Sequence, residues 1–296
     1  RDVRHAIEAE RDFVLPLHEH TTSNVRSLPA YTMAEHARAK ARGIEGGSPL
    51  PDRVLLHQVL RAAATSSSTE AEWIETVMAA GDGIEMEAAR WAPGGREQAT
   101  GYKVRLGDGP WLSASSIAPD LTLSKLRPGW AENETPESLA RAAAMWREEV
   151  DLPAPVAPTQ VSQHLDAAEE TLAQWSEELR HSDPHDATLW RQASRDAAGV
   201  TSTMSRAPGP IGEAVAGTAQ TLSRQALLVD VDEQGDPLPR PRTGAAPAQL
   251  AARHIQLALR AGGPQSHPGW VAVLQQMRQV LDAIEDARRA RQELVA

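Results

Sequence analysis

A chain of 296 residues without cysteine can hold no disulfide framework, no thiolate metal site and no cysteine nucleophile. Its net charge of −10 argues against a protein coated in nucleic acid, and no apolar run approaches the ~18 residues of a membrane span. The length allows two domains with separate cores, and eight Trp against two Tyr and one Phe leave Trp to supply most of the large aromatic bulk.

Residues 1–12 read as the end of a helix, and the chain opens on Arg1 inside that pattern, so an N-terminal part is expected to be missing. No signal peptide is evident, and the absence of Cys fits a reducing, cytoplasmic location. "VLPLHEHTTSNVRSLPA" (14–30), with two prolines and a polar cluster, reads as a loop. His18 and His20 within it suit a metal only if a third ligand joins them, so they read as loop histidines.

Residues 31–42 form a short helix, with Thr32 and Glu35 at capping-box spacing. Residues 52–64 form another, with Val54, Leu55, Val59 and Leu60 inward. Thr69 and Glu72 repeat the capping spacing before a stripe of Trp73, Ile74, Val77 and Met78.

The period then changes from helical to twofold. "IEMEAARW" (84–91) alternates at first, and "YKVRL" (102–106) alternates strictly, with Tyr102, Val104 and Leu106 on one face and Lys103 and Arg105 on the other. Gly107-Asp108-Gly109 is a turn signal, and "WLSA" returns as a third short strand. Ile117, Leu121 and Leu126 lead through short turns to Trp130.

After Pro136 the pattern is helical again. Leu139, Ala143, Trp146 and Val150 share a face, and "DLPAPVAPT" is a stiff Pro-rich linker. Val161, Leu165, Ala168, Leu172, Trp175 and Leu179 step by fours and threes, the seam of a packed helix pair. Further stripes run through Leu189, Ala193, Ala197 and Val200, through Ile211, Val215, Leu222, Ala226 and Val229, through Leu250, His254, Ile255 and Ala258, and through Trp270, Leu274, Met277, Leu281 and Ile284. Residues 230–248 form a long loop, expected to be mobile. Its "DVDEQGD" echoes a calcium loop, but Pro241 stands at the twelfth position, where a bidentate Glu is needed.

The fold class expected is mainly α with a small α+β unit, a helix–three-strand module followed by an antiparallel helical bundle. The expected divisions are 1–30 (the tail of an upstream domain, and a loop), 31–65 (connecting helices), 66–130 (the module), 131–158 (an acidic helix and linker) and 159–296 (the bundle).

Charge singles out one segment. Residues 90–130 hold six basic groups against three acidic ones, while 131–180 sum to −8. Cations beside aromatic rings on a strand face can attract phosphates and stack bases, which makes Arg90, Arg96, Tyr102, Lys103, Arg105, Trp111, Lys125 and Arg127 the candidate nucleic-acid-binding residues. A patch of +3 binds weakly and only at low salt. "TSSST" (65–69) reads as helix capping, and "DARRARQEL" (286–294) as a solvated helix face.

Gly101, Tyr102 and Val104, then Asp120, Leu121, Thr122, Leu123, Leu126 and Arg127, with Trp130 after them, give the chain a family likeness. The segment resembles the region that follows the nuclease domain in relaxases of mobilisable and conjugative plasmids. Residues 189–200 and 269–290 are similar to it as well. The resemblance implies a nuclease upstream, with a tyrosine nucleophile and a divalent metal held by clustered histidines. Tyr31 and Tyr102 sit in a different context, so no catalytic residue, metal ligand or cofactor is expected in this chain. The implied role is that of a C-terminal accessory region, which assists binding of plasmid DNA, single-stranded, or recruitment to a secretion coupling protein, without membrane insertion. The alternative reading is a helical protein–protein interaction protein unrelated to DNA, whose acidic 131–180 segment binds a basic partner. A metal hydrolase built on His18 and His20 is the third.

Overall fold

The structure is a computed structural model that describes residues 32–44, 50–80, 83–95, 97–130, 132–133, 135–149, 160–207, 209–225, 247–261 and 267–293. The expectations for residues 1–30, for the linker 151–159 and for 230–246 lie outside the described residues. Among those described there are eleven α-helices and one three-stranded antiparallel sheet, the mainly α chain with a small α+β unit that the periodicities predict. They fall into two compact units, 32–149 and 160–293.

The first unit begins with α1 (Met33–Ile44), α2 (Asp52–Ser66) and α3 (Glu70–Met78). Both expected caps form. The Glu35 backbone N–H donates to Thr32 Oγ1 while the Thr32 N–H donates to Glu35 Oε2 at 2.7 Å, so two helix-end donors are satisfied reciprocally. At α3 the Glu72 N–H donates to Thr69 Oγ1 at 3.1 Å, and the Glu72 carboxylate reaches back to the Ser68 N–H instead. The start of α2 has no side-chain cap. Its first residue, Asp52, is buried at the positive end of the helix and accepts from Arg38 Nε at 2.8 Å and Arg42 Nη1 at 2.7 Å, which docks α1 onto α2.

The sheet has the order β1 (Ile84–Trp91), β2 (Ala99–Leu106), β3 (Leu112–Ser113). Gly107, in the left-handed region at φ +51°, donates its N–H to the Gly83 carbonyl at 2.9 Å, and the Gly109 N–H closes back on the Leu106 carbonyl at 3.0 Å. This turn delivers Trp111 and β3 to the edge of β2. Ile84, Met86, Tyr102, Val104 and Leu106 are buried on one face, as strict alternation requires.

That face is covered by helices. Leu56, Val59, Leu60, Trp73 and Ile74 come from α2 and α3, and Ile117, Leu121, Leu123 and Leu126 from α4 (Ala114–Ile117), α5 (Leu123–Leu126) and the turn between them. α6 (Pro136–Trp146) closes the unit. The Trp73 ring sits at its centre, 5.0 Å from Tyr102 in an edge-to-face arrangement, 5.7 Å from Trp130 and 6.2 Å from Trp146.

The second unit contains α7 (Val161–Arg180), α8 (Ala187–Met204), α9 (Pro210–Gln225), α10 (Pro247–Arg260) and α11 (Gly269–Glu293). All six seam residues of α7 are buried. α7 packs on α10 and α11, while α8 packs on the same two helices and on α9. α7 and α11 depart from the antiparallel expectation and run side by side in one direction. Ser162 meets His267 at their N-terminal ends, and Arg180 donates to Gln279 further along.

The C-terminal half of α8, from Ala197 to Met204, is buried on every side. Its hydroxyls are absorbed locally, Thr201 onto the Ala197 carbonyl at 2.7 Å and Thr203 onto the Gly199 carbonyl at 3.0 Å. Gly212, in the first turn of α9, lies against the preceding loop so closely that an added Cβ would stand 2.0 Å from the Ala207 carbonyl oxygen. Gly212→Ala should therefore displace the start of α9 and lower bundle stability by about 2 kcal/mol or more, read as a drop in the thermal midpoint. An unchanged midpoint would show that the loop yields freely.

Candidate nucleic-acid interface

The open face of the sheet carries the exposed candidates. Antiparallel register sets Glu85 opposite Arg105 and Glu87 opposite Lys103. The side chains follow the register: Lys103 Nζ lies 2.9 Å from Glu87 Oε1, and Arg105 Nη2 lies 2.6 Å from Glu85 Oε2. The Arg105 guanidinium also covers the Trp111 ring at 4.7 Å from its centroid. Lys103, Arg105 and Trp111 thus gather on one face, but as two stripes: carboxylates along β1 and cations along β2. Each half-exposed pair contributes about 0.2–1 kcal/mol, so the stripe holds its shape loosely while its net field is cancelled at short range.

The other candidates belong elsewhere. Tyr102 is 2% exposed, and its hydroxyl donates to the Leu121 carbonyl at 2.8 Å, so its ring cannot stack on a base while the unit is folded. Burial first, and then Asp120, drive its hydroxyl far above the ordinary tyrosine range. Arg127 donates Nε and Nη2 to the buried Glu70 carboxylate at 2.6 and 2.9 Å, and Nη2 also to the Ala99 carbonyl at 2.5 Å. Lys125 is exposed on α5, which packs on the helix-covered side of the sheet, away from Lys103 and Arg105. Arg90 is exposed near the far end of β1, beside an irregularity in its pairing with β2. Arg96 lies outside the described residues.

Two buried polar centres were invisible to charge counting. The first is Glu70, which accepts from Trp146 Nε1 at 2.7 Å besides Arg127, while its own N–H donates to Asn133 Oδ1 at 2.9 Å. The second joins Arg61 to Asp120 at 2.7 Å and to His57 Nε2 at 3.2 Å. Arg61 can only donate, so His57 Nε2 accepts and its proton sits on Nδ1. Burial, then the Arg61 charge, lower the His57 pKa to about 3, against a smaller raising effect of Asp120. A buried charge network of this kind resembles catalytic wiring, but these groups face the core.

Among the described residues no group of three or more His, Cys, Asp or Glu is placed to hold a metal. His18 and His20 lie outside them. No described helix is long and apolar enough to cross a membrane. In the arginine-rich end of α11, Arg289 lies 3.4 Å from Glu285 and 3.7 Å from Asp286, the pairing expected of a solvated face. No protein-family model, curated protein or solved structure matches the chain.

Proposed function

We propose that this chain is the accessory region of a DNA relaxase acting in plasmid mobilisation or conjugative transfer, with no catalysis of its own. Its first unit would dock to the nuclease part and touch single-stranded DNA weakly through the open sheet face. The second would serve assembly or recruitment to a secretion coupling protein. In the parent protein the reaction would be transesterification of a DNA phosphodiester by a tyrosine outside this chain.

One observation carries the reading. Within the first unit the residues that bear the family likeness are structural: Tyr102 bonds Leu121, Asp120 bonds Arg61, Arg127 bonds Glu70 and Ala99, and Trp130 Nε1 donates to the Ala64 carbonyl at 3.2 Å. A likeness carried by residues that build a module is a likeness of fold, which suits an accessory part. The reactive groups of a relaxase would stand elsewhere.

The paired stripes make the DNA contact testable in both directions. Fluorescence anisotropy with a single-stranded oligonucleotide at about 50 mM salt should give weak binding that falls steeply by about 200 mM. Lys103→Glu with Arg105→Glu should abolish it. Glu85→Gln with Glu87→Gln should strengthen it about three- to tenfold, because the cations lose their internal partners. Circular dichroism should show all variants folded. Absence of binding at low salt even in the Glu85→Gln, Glu87→Gln variant would remove DNA from the reading. It would favour the helical protein-interaction alternative, which the neutralised face already suits better than a strongly cationic one would.

A further inference from the structure

The sheet ends differently at its two edges. Beyond β2, β3 pairs with Lys103 and Val104, and the Ala99 carbonyl receives Arg127 Nη2. On its outer side β1 has no neighbouring strand among the described residues. The ladder itself fixes which backbone groups face outward there. The Gly107 N–H donates to the Gly83 carbonyl, in register with the β1–β2 pairing, which makes those two residues a bonded pair. Bonded and unbonded pairs alternate along an antiparallel ladder, so the backbones of Glu85 and Glu87 bond β2, while the N–H and C=O of Ile84, Met86 and Ala88 point away from it. Among the described residues nothing hydrogen-bonds to those outward groups. The irregularity after Ala88 ends the regular edge.

A row of outward N–H and C=O groups is a template for a further strand, and the side chains beside it say which kind. Glu87 bonds Lys103 through Oε1, and Glu85 bonds Arg105 through Oε2. The second oxygen of each carboxylate is left for a cation on the other flank of β1. On the opposite face Ile84 and Met86 are buried, so the intervening residues of an added strand would lie beside apolar side chains. β2 already shows the pattern that fits β1, with Lys103 and Arg105 set between Tyr102, Val104 and Leu106. We propose that the outer edge of β1, from Ile84 to Ala88, takes an extended segment of a partner protein as a fourth strand, with basic residues at alternate positions and apolar residues between them. Main-chain bonds supply the affinity, and the Glu85–Glu87 stripe, flanked by cations on both sides, selects the partner. The inference does not depend on the DNA contact.

A fluorescent peptide of alternating Lys and Val, titrated with the full chain and read by anisotropy, tests it. The peptide should bind, and one with Glu in place of Lys should not. Glu85→Gln with Glu87→Gln should weaken binding about tenfold, the opposite of its expected effect on DNA, so the two readings fail separately. Ala88→Pro removes one outward N–H without touching the β1–β2 ladder, and should weaken binding at least as much with circular dichroism unchanged. If that variant fails to fold, the peptide carries the test. Methylating its backbone nitrogens at Lys alone or at Val alone blocks one edge of the strand, so one methylated peptide should lose binding and the other keep it. Equal binding of both would show charge attraction without strand pairing and overturn the proposal. So would no binding of the Lys-Val peptide, or unchanged binding in the Gln pair. A concentration-dependent dimer in sedimentation that Ala88→Pro dissolves would give the edge to a second copy of the chain and overturn the choice of partner.

Discussion

Glu70→Ala should unfold the first unit at a temperature more than 10 °C below the parent chain, a loss of about 3–5 kcal/mol. Glu70 is 2% exposed and ties four pieces of chain together. It sits at the start of α3, receives the Arg127 fork from the turn after α5 and the Trp146 indole from α6, and reaches Ala99 of β2 through Arg127. Alanine at this position leaves a largely buried guanidinium without its counter-charge and an indole N–H without an acceptor. Both penalties fall on the folded state alone.

The size of the effect comes from what is orphaned, so the pair is not additive. Glu70→Met combined with Arg127→Met should cost clearly less than the sum of the two single changes, since the double variant buries no unpaired charge. Trp73, Trp130 and Trp146 lie in this unit and Trp175, Trp190 and Trp270 in the second, so tryptophan emission follows both, and the first unit's transition is the one that Glu70→Ala should shift. Glu70→Gln keeps an acceptor for the indole and should be milder than alanine. A loss under about 1 kcal/mol for Glu70→Ala would mean that the Arg127 fork is a bystander and that the aromatic cluster alone holds the unit.

The same network shows what patterning could and could not reveal. Twofold alternation in "YKVRL" and the four-three steps of α7 depend only on which side faces apolar neighbours, so the buried faces of β2 and α7 were legible residue by residue. Leu139 and Leu250 stand on the stripes that the periodicity predicts to be apolar and buried, yet are 37% and 40% exposed. In α10 the predicted Ile255 and Ala258 are buried, joined by Ala248, Ala251 and Ala252 rather than by Leu250, a mostly alanine face that lets helices approach closely. In α8 Leu189 is only half-buried, while its neighbour Trp190 fills the inward position with its indole.

For the candidate interface the loss was of another kind. A basic count begun at residue 90 excludes Glu85 and Glu87, yet β1–β2 register places those two carboxylates directly opposite Arg105 and Lys103. The twofold period of "IEMEAARW" held that information: two acids at alternate positions on one strand, two bases at alternate positions on the next. The roles of Glu70 and Asp120 depend on partners 57 and 59 residues away in sequence, and no local pattern signals such contacts.

Acid should destabilise the first unit through His57. The ring is buried, accepts from Arg61 on Nε2, and takes a proton in the folded state only near pH 3, against about 6.5 when unfolded. Between those values the unfolded chain binds a proton that the folded chain refuses, so stability is fully retained above about pH 6.5 and falls as pH drops toward 3. The slope is about 1.4 kcal/mol per pH unit, with a ceiling of roughly 4–5 kcal/mol across the window. Chemical denaturation followed by tryptophan emission at pH 7.5, 6 and 5 should show that loss in the parent chain. His57→Gln offers Arg61 a neutral acceptor, starts from a lower stability at pH 7.5, and should lose about 1–2 kcal/mol less between pH 7.5 and 5. Asp120→Asn sharpens the contrast, because removing the Asp120 charge, which favours His57 protonation, leaves Arg61 and burial to oppose it, so the parent slope should be kept and should run to lower pH. Parallel pH profiles for the parent and His57→Gln would show that the imidazole escapes to solvent on protonation, and with it that the His57–Arg61–Asp120 centre opens more readily than its burial implies.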